Sequence, residues 1–156
     1  MPENNDVDGG VAFKLERYKY ILQQLNLLNE NAHKYLALYQ ALATAIVGGC
    51  IALFVSWRGM QLNAEAAKIG IRAFLWLFII LTVFIIFSII VSVFSWFDYR
   101  KEEVWLLDKE VGIGFRKLPR KSNFWRWSET YLTSFLITVA AVTYLFIEYK
   151  VIPLIK

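Results

Sequence analysis

Residues 73–97 read AFLWLFIILTVFIIFSIIVSVFSWF, 25 consecutive positions without a charge between Arg72 and Asp98. At 1.5 Å per residue this run makes a helix of roughly 38 Å, longer than the ~30 Å hydrocarbon core of a bilayer. A soluble α/β domain breaks its apolar residues into short segments separated by polar turns. An unbroken run of this length therefore predicts a helix solvated by lipid.

Two further runs flank it. Residues 35–57, between Lys34 and Arg58, are 23 uncharged positions and give roughly 35 Å of helix. Residues 130–147, between Glu129 and Glu148, are 18 uncharged positions and give roughly 27 Å, near the lower limit for a span. The sequence thus predicts an all-α integral membrane protein with three transmembrane helices. The third run leaves a helix lying in the interface or packed on the cytosolic side as the alternative. The expected order is a disordered N-terminus (1–10), a cytosolic amphipathic helix (11–34) continuous with the first span (35–57), an outer loop (58–72) and the second span (73–97). A cytosolic basic and aromatic loop (98–129), the third span (130–147) and an outer tail (148–156) follow. The 58% hydrophobic content of the 156 residues and the mean hydropathy of +0.45 agree with lipid as the solvent.

Orientation follows from the basic residues. Lys14, Arg17, Lys19 and Lys34 precede the first span, and Arg100, Lys101, Lys109, Arg116, Lys117, Arg120, Lys121 and Arg126 lie between the second and third. Arg58, Lys68, Arg72, Lys150 and Lys156 fall on the opposite side of a three-span chain. The positive-inside rule then puts the N-terminus and the long loop in the cytosol and the C-terminus outside. The first ten residues, MPENNDVDGG, are polar and net acidic and do not form a signal-peptide core, so the first span is expected to act as its own anchor. Trp57 and Trp76 border the outer loop, and Trp96, Trp105, Trp125 and Trp127 gather at the inner face, as indole rings do at headgroup depth.

Residues 11–34 contain no Gly or Pro, and Tyr18, Ile21, Leu25, Leu28, Ala32 and Tyr35 recur at alternating steps of three and four. This is a heptad seam, continued in register by Tyr39, Leu42, Ile46 and Gly49. An apolar stripe in water must be covered. Either the chain's own 98–129 segment or a second copy covers it, and the short, heavily charged loop favours self-association. Within that loop, DYRKEEVWLLDKE extends the second helix by about three turns, with Val104, Leu107 and Val111 on one face, and Gly112 and Gly114 end it. The following RKLPRKSNFWRWSE contributes Arg116, Lys117, Arg120, Lys121, Trp125, Arg126 and Trp127 as candidate contacts to lipid or a partner.

No Asp, Glu, Lys, Arg or His lies within the three runs, which argues against proton relays and ion-coupled transport. Small residues recur there at helical spacing: Ala37, Ala41, Ala45 and Gly49 in the first, Ser88 and Ser92 in the second, Thr130, Ser134 and Thr138 in the third. Such faces allow close helix packing, within a chain or between chains. Gln40 and Thr44, one turn apart, need hydrogen-bond partners in lipid. Together with Ala41, Ala45 and Gly49 they are candidates for intramembrane packing or a pore lining. His33 is the single histidine and Cys50 the single cysteine. No metal-ligand spacing, phosphate loop or nucleophile elbow occurs, and Glu102 and Glu103 point to different faces of a helix, so neither catalysis nor a cofactor is expected.

The layout LERYKYILQQLNLLNENAHKYLALYQALATAIVGG, a short connector, a second apolar helix and DYRKEE resembles the small membrane effectors of bacterial antiphage defence, in particular the SLATT-type group. The resemblance spans residues 12–110 and rests on architecture and the N-terminal helix pattern. It implies an oligomeric protein of the bacterial inner membrane that permeabilises or depolarises it when a cytosolic sensor protein detects infection, with lipid and its own copies as partners and no direct binding of nucleic acid. A non-catalytic scaffold that docks a cytosolic partner is the alternative. The third span departs from that group's two-span plan.

Overall fold

The uncharged run 73–97 lies entirely inside one helix, α2 (Ala64–Glu110), in a computed structural model that describes residues 5–59, 62–119 and 127–156. It is preceded by α1 (Asn5–Arg58) and followed by α3 (Ser128–Phe146), a π turn (Ile147–Val151) and a 3₁₀ turn (Ile152–Leu154). No strand occurs among the described residues. All three α-helices are long and apolar enough to cross a membrane.

Three boundaries differ from the sequence reading. The helix α1 already begins at Asn5, inside the stretch expected to be disordered, because extending a formed helix needs no new nucleus. The connector expected over 58–72 is much shorter, since α2 starts at Ala64. There the Asn63 side-chain oxygen accepts the Ala66 N–H at 2.7 Å, and Glu65 lies in the first turn, where the helix dipole favours an anion. The tail is no simple extension either: Pro153 cannot continue α geometry, and the chain closes through the π and 3₁₀ turns instead. At the far end α2 stops as its glycines predict. The Gly112 N–H reaches back to the Leu107 carbonyl at 3.2 Å, and Gly112 and Gly114 take φ of 142° and 86°.

The chain divides into two compact units, one of residues 1–33 and 90–124, the other of residues 34–89 and 125–156. In the first, α1 and α2 run antiparallel. Lys14 pairs with Glu110 at 2.7 Å, Arg17 Nε donates to Glu102 at 2.8 Å, and the Tyr20 and Tyr99 rings meet edge to face at 6.4 Å. Ile21 and Leu25 from α1 and Phe97, Val104 and Leu107 from α2 form its buried apolar set. Val111, expected on the same face, lies past the helix end and is exposed.

In the second unit α1 and α2 approach closely through glycine. A Cβ at Gly49 would stand 2.8 Å from the Phe74 ring, and one at Gly70 would stand 2.7 Å from a Leu53 methyl. Ala67, Ile71 and Leu75 of α2 form a core with Ile147, Ile152 and Ile155, which seats the C-terminal turns against the start of α2. The outward surfaces are apolar in turn: Ile51, Val55, Ile80, Val83, Phe84 and Phe135 are all more than half exposed. Contiguous exposure on this scale is unfavourable in water and is what lipid requires.

Candidate functional site

The candidate seam residues lie mostly inside the chain. Ile21 and Leu25 are buried, Tyr18, Leu28 and Tyr35 half-buried, and the register persists at Tyr39, Ile46 and Gly49, while Leu42 turns outward. Here the chain's own α2 covers the stripe at Ile21 and Leu25. The sequence reading set the chain's own 98–129 segment against a second copy and favoured the copy; Tyr99, Glu102 and Glu110, which meet this part of α1, and the buried Val104 and Leu107 all lie within that segment.

The five intramembrane candidates separate. Gly49 faces α2, whereas Gln40, Ala41, Thr44 and Ala45 are exposed. Thr44 satisfies itself by donating to the Gln40 backbone carbonyl at 2.7 Å. The Gln40 amide has no hydrogen-bond partner among the described residues. Ala37, Ala41, Ala45 and Gly48 follow one another at steps of three and four along α1, all exposed, and nothing lies within 4 Å of a Cβ placed on Gly48. One face of α1 thus grips α2 and another, built of small residues, remains outside.

Two buried polar contacts were not singled out from the sequence. Tyr39 and Thr82 share a hydrogen bond between α1 and α2. Glu103 is completely buried and accepts from both Arg100 and Arg116, the latter at 2.6 Å. Glu102, its neighbour on another face, meets Arg17 instead. A buried carboxylate needs such partners, since its isolated charge is costly in a medium of low dielectric. The Tyr99 phenol, hydrogen-bonded to Tyr20, titrates above the usual tyrosine range.

Arg116 is therefore a strut to α2 as well as part of the basic segment. Lys117 is exposed and Trp127 half-buried, while Arg120, Lys121, Trp125 and Arg126 lie outside the described residues. Arg72 and Glu148 join α2 to the π turn through two contacts of 3.1 Å. Among the described residues no three His, Cys, Asp or Glu side chains gather as a metal cage. A groove of about 600 Å³ opens in the second unit, lined by Cys50 and Phe54 of α1, Phe74 and Phe78 of α2, and Thr143 and Phe146 of α3 among others.

These features define an all-helical chain whose three long helices can span a membrane, packed through glycine contacts and a few buried polar pairs. Comparison with known protein families, curated proteins and solved structures finds no match.

Proposed function

We propose that this chain is a self-associating effector of the bacterial inner membrane that permeabilises or depolarises it as part of an antiphage defence module. The observation that carries the reading is the outward face of α1, where Ala37, Ala41, Ala45 and Gly48 flank the Gln40 amide, which has no hydrogen-bond partner among the described residues. A small-residue stripe lets a second helix approach closely, and an amide in hydrocarbon gains a partner when it does. The defence role rests on the resemblance to SLATT-type effectors, and the N-in, C-out orientation rests on the basic residues. Expression with a potential-sensitive dye tests the reading. Dissipation of the membrane potential on triggering is expected, and a triggered system that keeps its potential and permeability unchanged would rule it out.

The scaffold reading has its own support. Phe13, Ile113 and Phe115 are exposed in the charged unit, Ile113 at 96%. Apolar side chains on a surface beyond the spans suit a docking partner. Crosslinking separates the two: a scaffold captures a partner at fixed stoichiometry, while an effector of this kind yields ladders of itself.

A further inference from the structure

We propose that the groove of the second unit binds one anionic diacyl phospholipid, with an acyl chain between α1, α2 and α3 and the phosphate held by Arg58, Lys68 and Lys150. The groove's volume, about 600 Å³, falls among those of small-molecule sites, roughly 300–1,000 Å³. Among its lining side chains only the Cys50 thiol and the Thr143 hydroxyl carry heteroatoms; aliphatic and aromatic carbon provides the rest. Such a wall offers an acyl chain close contact and offers a polar ligand nothing.

Three cations stand within one turn of its lining residues, on α1, α2 and the π turn. Phe54 lines the groove on α1, and Arg58 stands four residues further on the same helix face. Ile71 lines it on α2, and Lys68 stands three residues earlier, again on the same face. On the π turn, Val151 lines the groove and the exposed Lys150 precedes it. None of these three cations has an ion-pair partner among the described residues. The nearby Arg72 is different, because Glu148 already engages it. Glu65 lies a further turn beyond Lys68. Three unpaired cations, each one turn or less beyond an apolar lining residue, match a ligand with an anionic head and a hydrocarbon tail. The site is complete within one chain and needs no self-association.

Native mass spectrometry of the full chain in detergent tests this with palmitoyl-oleoyl phosphatidylglycerol against phosphatidylcholine of the same chains. One phosphatidylglycerol per chain should survive activation, with a preference of at least about tenfold over phosphatidylcholine, as juxtaposed cations give anionic lipid. Replacing Arg58, Lys68 and Lys150 together by Gln should remove the preference. Val47→Trp, at an exposed lining position, should weaken retention of both lipids. Equal retention of the two lipids by the unaltered chain overturns the proposal whether or not the variants fold. So does formation of a Cys50 disulfide dimer on mild oxidation in bilayers, because Cys50 lines the groove and a dimer would place a second copy there.

Discussion

Tyr39 of α1 and Thr82 of α2 meet hydroxyl to hydroxyl at 3.2 Å, both side chains buried. Thr82 gives its own proton to the Phe78 carbonyl at 2.9 Å, so Tyr39 is the donor across the helix pair. In lipid the apolar surfaces of the two helices have no solvent-driven reason to meet, which leaves packing and such bonds to set their register. Tyr39→Phe should therefore destabilise the pair by about 0.6 kcal/mol and at most ~1.7 kcal/mol. Thr82→Val should cost no more when added to Tyr39→Phe than the lost packing requires. Unfolding of the single and double variants in micelles measures the coupling; strict additivity would show that the bond contributes nothing.

Glu103→Gln leaves two guanidinium groups facing a neutral amide. Arg100 is mostly covered and Arg116 is nearly half exposed, so water relieves part of the penalty and a loss of about 1–3 kcal/mol is expected. The local consequence is sharper. Arg116 ties the segment after Gly114 to α2, so Glu103→Gln should speed tryptic cleavage at Arg116 and Lys117. Glu102→Gln, which loses only the half-exposed partner Arg17, should leave cleavage there unchanged.

The three long apolar helices and the helix stop at Gly112 were legible because each depends on local properties, charge-free length and a backbone that only glycine adopts easily. The placement of Ile21 and Leu25 was not. A heptad seam states that a stripe must be covered, and nothing in its spacing distinguishes a neighbouring helix of the same chain from a second copy. Glu103 was equally hidden: within RKEE it reads as surface charge, and only the fold brings Arg116, thirteen residues on, to its carboxylate. The Tyr39 and Thr82 pair lies 43 residues apart, beyond any periodicity.

Leu25 now separates folding from assembly. Being 5% exposed, it sits inside the pairing of α1 with α2, and Leu25→Asp places a charge there without a partner. The expected outcome is loss of helix pairing, read as faster amide exchange over residues 14–30 and 97–107. An unchanged exchange pattern accompanied by a smaller oligomer would return this residue to an interface between copies.

Gly49 and Ala45 make the complementary comparison on one helix. At Gly49 a side chain meets the Phe74 ring, which can move but not vanish, so Gly49→Val should destabilise the chain by about 1–3 kcal/mol, and Phe74→Ala should restore part of it. Ala45 is exposed, so Ala45→Leu should leave the stability of the single chain within about 0.5 kcal/mol. Its effect is expected on self-association alone, measured by energy transfer between labelled copies in liposomes. Unaltered transfer would show that this face of α1 is turned to lipid.

The Arg72 and Glu148 contact bears on topology. It joins the start of the second uncharged run to the end of the third, so the two borders stand at one membrane face when both runs span. Because the pair is partly exposed, its removal should cost no more than about 1 kcal/mol, and stability is a poor readout. Position is a better one. In a Cys50→Ala background, Asn63→Cys and Lys150→Cys should both react with a membrane-impermeant maleimide added to spheroplasts, and both should be protected in inverted vesicles. Labelling of the two from opposite faces would show that the third run does not cross and place α3 in the interface, leaving two spans.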